Sequence, residues 1–261
     1  MRRYAWIATL LIVALVATWC SSSLVQDKVT EATQWLMQKD QNYEQGFEVT
    51  RAFVYGAFYS SGNYLNLSSK ELTQIPDLCS LMDEQDRDKV RFLSLSNNKI
   101  RIVDQDLSCF KHLRVLNLSY NQIVEVVRLG ELPELQELLL HKNQLANTKN
   151  LPDFPALKTL NLAYNKLKKV VDLEKFSALT TLELQHNEIA KIIGIDKLQK
   201  LEELKLEYNK LKKLPFLETL QQLKTVTAQG NQLQQEVQNT LKKLQQTYFQ
   251  LVWTGTSGTG S

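Results

Sequence analysis

The side chains best suited to chemistry are three histidines, and their spacing limits what they can do together. His112, His141 and His186 fall in widely separated stretches. His141 and His186 sit at strand-like positions two repeats apart, which places them about 10 Å from each other by strand spacing. Ligation of one ion needs bonds of about 2 Å, so no metal centre is expected. Ser119, His141 and Glu183 supply the residue types of a nucleophile relay, yet three polar residues on a polar surface are ordinary. HExxH, CxxC, a Walker loop and GxSxG are all missing from the sequence. No catalytic residue, no cofactor and no enzymatic activity are expected.

Binding chemistry is better represented. At a fixed interval the chain carries Asn97, Tyr120, Lys142, Tyr164, His186, Tyr208 and Gly230. Tyrosine joins a large contact area to a hydrogen-bonding tip, a combination over-represented at interface hot spots. Phe92, Val115 and Leu139 lie beside this column toward the N-terminal half. Glu183, Glu202, Glu203 and Glu207, relieved by Lys205, make the C-terminal half acidic. We expect Phe92, Tyr120, Leu139, Lys142, Tyr164, Glu183, His186, Lys205 and Tyr208 to meet a protein or peptide with an apolar patch and a basic patch. A second periodic feature is basic: Lys166, Lys168, Lys169, Lys191, Lys210, Lys212 and Lys213 share one edge. It reads first as a solvated flank and second as a surface for lipid headgroups or an acidic glycan.

These positions are set by a repeat. Seven copies of an eleven-residue phrase begin at Val90, Leu113, Leu135, Leu157, Leu179, Leu201 and Leu223, with one step of 23 and then steps of 22. Apolar residues fill positions 1, 4, 6 and 11. Position 9 is always asparagine: Asn98, Asn121, Asn143, Asn165, Asn187, Asn209 and Asn231. Apolar alternation at period two predicts a short strand with one buried face. Asparagine, with two donors and an acceptor, can satisfy the backbone groups that a tight turn leaves unpaired. The rest of each unit spaces its apolar residues by three, as in Val170, Leu173 and Phe176, which suits a 3₁₀ turn. One unit cannot bury its own apolar edge, so the copies must stack. A degenerate copy precedes them, with Leu65, Leu67 and Leu72 in place and Lys70 in the asparagine slot. The charged insertion 82–89 lengthens that copy and is expected to bulge into solvent.

The form LxxLxLxxNxL resembles that of leucine-rich-repeat proteins, and the 22-residue unit is similar to the short subclass of bacterial internalins and Sds22-type phosphatase regulators. The resemblance implies an α/β solenoid: a horseshoe with short parallel strands on the concave face, 3₁₀ or irregular turns on the convex face, and helical caps. It covers 62–233. The internalin likeness implies a secreted or surface-associated protein that binds a protein ligand. The regulator likeness implies instead an intracellular scaffold that holds a phosphatase.

The ends bear on that choice. Arg2 and Arg3 precede an uncharged apolar run from Ala5 to Trp19, the form of an export leader over 1–22. Three outcomes stay open: cleavage and secretion, lipidation at Cys20, or an uncleaved membrane anchor. Cys79 and Cys109 occupy the outer halves of adjacent units, either bridged after export or reduced. Residues 23–61 read as a helical, aromatic N-terminal cap, and 234–252 as a capping helix whose stripe runs through Val237, Leu241, Leu244, Tyr248 and Leu251. The tail 253–261 is expected to be disordered. Asn66 and Asn117 begin glycosylation sequons. A formal net charge of +3 over 261 residues is no footprint for nucleic acid. The protein is expected to be a monomer.

Overall fold

A computed structural model of the protein describes residue 54 and residues 63–214, 219–247 and 252–254. The period-two segments form three-residue strands: Tyr64–Asn66, Phe92–Ser94, Val115–Asn117, Glu137–Leu139, Thr159–Asn161, Thr181–Glu183, Glu203–Lys205 and Thr225–Thr227. They line up in chain order as one parallel sheet, joined at its end by Val252–Thr254. Pairing keeps the repeat in register, so Leu65, Leu93, Leu116, Leu138, Leu160, Leu182, Leu204 and Val226 stand side by side. A slip of one residue would turn every leucine to solvent, and the buried alternation forbids it. Leu160 and Leu162 are fully buried, as are their counterparts along the stack.

The outer half of each coil closes the core from the other side. Leu173–Lys175 and Ile195–Lys197 are 3₁₀ turns whose Leu173 and Ile195 point inward. Phe110, Phe154 and Phe176 are fully buried there, and the last two rings lie parallel with centroids 6.3 Å apart. The convex side is more ordered than irregular turns would be. Ile102–Val103 pairs with Glu125–Val126, and Lys169–Val170 with Lys191–Ile192. The intervening unit breaks this outer ladder: Thr148 uses its hydroxyl to bond the backbone N–H and C=O of Val171.

Two segments differ from expectation. The insertion 82–89 is only partly solvent-facing: Asp83, Glu84, Gln85 and Lys89 are exposed, and the rest is not. It forms a helical turn, Glu84–Arg87, after another at Leu78–Leu81, with Met82 and Asp86 buried. Arg87 donates to the Cys79 carbonyl and Lys89 pairs with Asp86 at 2.8 Å, so its charges are taken up locally. At the other end, helix Gln235–Thr247 stops short of 252. The chain then returns as a strand, Val252–Thr254, where a structureless tail was expected from 253. The free edge of Thr225–Thr227 explains this: its unpaired backbone groups need partners, and Val-Trp-Thr is a strand-prone sequence. Val237 and Leu241 of the helix pack on the core.

The leader, Cys20 and the N-terminal segment 23–61 lie outside the described residues, apart from Val54, which is buried in the core. Among the described residues no helix is long and apolar enough to cross a membrane.

Candidate binding site on the concave face

Each strand must leave the sheet sharply after position 7, and the chain does so through a left-handed residue at position 8. Asn97, Tyr120, Lys142, Tyr164, His186 and Tyr208 have φ between 53° and 55°, Gly230 has 70°, and Ser69 of the first unit has 56°. Left-handed backbone is cheap for glycine and tolerable for asparagine, but costs about 1–2 kcal/mol in a bulky residue. The two cheap residues, Asn97 and Gly230, sit at the ends of the column. Its middle carries the costly ones.

Asparagine at position 9 holds each turn. Asn165 donates to the carbonyls of Leu162 in its own unit and Leu140 in the unit before, each at 3.0 Å, and its Oδ1 accepts the Leu145 N–H at 2.9 Å. The same three bonds recur at Asn121, Asn143, Asn187, Asn209 and Asn231. Asn98 bonds back to the degenerate unit through Leu67, Lys70 and Leu72. Every coil is thereby tied to its neighbour through a buried side chain, with Asn231 at the end half-buried.

With the turns fixed, the position-8 side chains stack. Lys142 Nζ lies over the Tyr120 ring at 4.5 Å and the Tyr164 ring at 5.4 Å. His186 is sandwiched between Tyr164 and Tyr208, with centroids 4.2 and 4.5 Å away and planes within 20° of parallel. The other face of Tyr208 covers Gly230, where an added Cβ would come within 2.6 Å of the ring. Such contacts, each worth about 0.5–1.5 kcal/mol, offset the backbone cost. The tyrosines remain accessible: Tyr120 is 48% exposed, Tyr164 45% and Tyr208 50%. Ring faces are consumed within the stack, so edges and hydroxyls are what a partner meets.

Beside this wall the sheet floor changes character along the stack. Tyr64 and Phe92 meet edge to face at 6.3 Å, Phe92 is exposed, and Val115 and Leu139 continue the apolar strip half-buried. Ser68, Ser94 and Ser96 share their hydroxyls in a small cluster below it. Farther on, Glu183 accepts from Asn161 and Gln185 at 3.1 Å and pairs with Lys205 at 3.2 Å, while Lys205 also reaches Glu203 at 3.3 Å. Burial works against the charge on Lys205, but Glu183 and then Glu203 outweigh it and hold its pKa above the ordinary value. Glu202 is occupied by Lys224 at 2.7 Å.

The residues singled out in the sequence thus fall into two groups. Phe92, Tyr120, Lys142, Tyr164 and Tyr208 are exposed; Leu139, Glu183, His186 and Lys205 are half-buried and carry the exposed set. Position 7 adds covered polar atoms to the same face. His141 Nδ1, Gln185 Oε1 and Glu207 Oε2, with Thr227 Oγ1 at position 5, are covered yet have no hydrogen-bond partner among the described residues. The repeat relates the first three: Gln185 lies two units after His141, and Glu207 one unit after Gln185. His141 stands edge-on to Tyr120 at 5.4 Å, and burial lowers its pKa, favouring the neutral ring. Among the described residues no group of three or more His, Cys, Asp or Glu could hold a metal ion.

Cys79 and Cys109 form a disulfide, with Cα atoms 5.8 Å apart. It joins the helical turn Leu78–Leu81 to the outer half of the next coil.

A family model for leucine-rich repeats, two copies long, matches residues 88–131. Among solved structures the chain is similar to an internalin (inlF) of Listeria monocytogenes, at 22% identity and a TM-score of 0.55, covering 77% of this chain and 58% of that one. It is similar to internalin C2 (inlC2) of the same organism at 22% identity and a TM-score of 0.55, covering 67% of this chain and 84% of that one. No curated protein matches the sequence. At such identity the likeness carries the fold alone. The in-register coils, the asparagine ladder and the repeat model matched over 88–131 show that this chain has the leucine-rich-repeat fold.

Proposed function

We propose that the protein is exported and that its concave face binds a folded protein or peptide, the monomer serving as a binding module without catalysis. The observation that carries this reading is the wall of Tyr120, Lys142, Tyr164, His186 and Tyr208, kept half-exposed on left-handed backbone. Strained residues persist where the surroundings over-determine them, and they cluster at functional positions. A stacked wall loses little conformational freedom when a partner docks, which favours affinity. The exposed Phe92 offers an apolar anchor at one end, and the Glu183–Glu203–Glu207 region offers acceptors for a basic patch at the other.

The Cys79–Cys109 bridge supports export over the intracellular phosphatase-regulator reading, because disulfides persist in oxidising compartments. Secretion and attachment to the cell envelope through the N-terminus, by Cys20 or by the apolar leader, both accord with it.

The test is capture by the immobilised full-length chain, compared with Tyr120→Ala, Tyr164→Ala and Tyr208→Ala combined. Loss of the captured protein by tenfold or more, the scale of interface hot spots at about 2 kcal/mol, is expected. Undiminished capture would assign binding to another surface.

A further inference from the structure

The convex edge holds a charge arrangement that the concave reading does not use. Lys169 and Lys191 stand directly opposite each other on paired outer strands, and Lys213 occupies the same place one repeat on. Lys168 and Lys212 flank them, also one position apart from the ladder, with Ala190 between. All five lysines are exposed. Among the described residues none of the five makes a side-chain hydrogen bond or ion pair. Their neighbours at position 10 are engaged instead: Lys210 pairs with Glu188 at 2.7 Å and Lys166 donates to Gln144 at 3.0 Å. Like charges directly opposite on adjacent strands repel each other. A fold with free choice of surface residues would alternate their signs.

We propose that Lys169, Lys191 and Lys213 form a cation ladder that binds a linear acidic polysaccharide running across the coils, parallel to the stack. Strand spacing sets Lys169 and Lys191 about 5 Å apart, and Lys213 follows at the same position of the next coil, so a polymer with regularly recurring anionic groups can meet several at once. Lys168 and Lys212 widen the ladder at either end. A narrow chain fits better than a bilayer. In the sequence Glu188 precedes Lys191, while Asp172, Glu174 and Asp196 follow the ladder positions of their coils, and none of the four is buried, so a flat anionic surface would meet these carboxylates as well. Lys169 and Lys191 lie on the outer strands, away from the nine-stranded sheet, so glycan and concave partner do not compete for the same residues.

The test uses the full-length chain and heparin oligosaccharide as probe, with binding measured across a salt series. Lys169→Gln, Lys191→Gln and Lys213→Gln are combined in one variant; Lys111→Gln, Lys158→Gln and Lys242→Gln form a control that removes equal charge elsewhere. The ladder variant is expected to lose about tenfold in affinity while the control stays within about twofold, given the modest weight of each exposed ion pair. Binding should weaken with salt and persist in Tyr164→Ala, which separates this proposal from the concave-face reading. Equal losses in the two triple variants, or no heparin binding by the wild-type chain, would overturn it. So would ladder-dependent capture of phosphatidylglycerol vesicles with heparin left unbound.

Discussion

At the residue scale, the decisive side chain is the asparagine at position 9. Three buried backbone groups from two coils depend on each one, and no aliphatic residue can replace those bonds. Asn165→Ala should therefore cost about 3 kcal/mol, since backbone groups left unpaired inside the stack keep their full desolvation penalty. Asn231→Ala, at the half-buried end where water can substitute, should cost roughly 1 kcal/mol. Urea denaturation of the two variants checks this, and equal losses would contradict the ladder. The asparagine spacing was legible in the sequence because its role is local and repeated. The left-handed backbone one residue earlier was not, because tyrosine, lysine and histidine carry no propensity for it; stacking between coils makes it tolerable.

At the element scale, the Leu78–Leu81 and Glu84–Arg87 turns show what insertion into a repeat entails. Eight residues rich in charge read as solvent-facing, yet Met82 and Asp86 are buried and Arg87 and Lys89 find partners close by. The disulfide holds this segment to the following coil. Its two cysteines are 30 residues apart, a loop for which the chain-entropy estimate gives about 3–4 kcal/mol. Reduction, or Cys109→Ser, should lower the stability of the N-terminal coils by that amount. Amide exchange should quicken around residues 78–113 while the coils at 181–227 keep their protection, because in a solenoid each unit touches only its neighbours. Uniform acceleration along the chain would mean the array unfolds as one cooperative block. Sequence placed the two cysteines in adjacent outer halves but left bridging open, since pairing depends on Cα separation and on direction.

At the scale of the whole molecule, the sheet is built by addition, and its last strand comes from beyond the repeats. Helix Gln235–Thr247 carries the chain back so that Val252–Thr254 pairs with Thr225–Thr227. Truncation after Thr247 removes that partner and opens a strand edge. We expect the truncated chain to self-associate with rising concentration in sedimentation velocity, whereas the full chain stays monomeric. A truncated chain that remained monomeric throughout would show that the helix alone shields the edge.

Periodicity by itself determined the solenoid, the parallel register, the leucine core and the inward-facing asparagines, because each follows from one unit repeated with its neighbours supplying the contacts. It also placed Tyr120, Tyr164 and Tyr208 in a single column. Only the tertiary structure decided that this column is a stacked wall on left-handed backbone, that Lys205 is engaged by Glu183 and Glu203, that Cys79 meets Cys109, and that a strand follows the final helix. Those outcomes rest on distances between coils and on free edges at the ends of the stack. Such contacts have no period, so nothing in the repeat announces them.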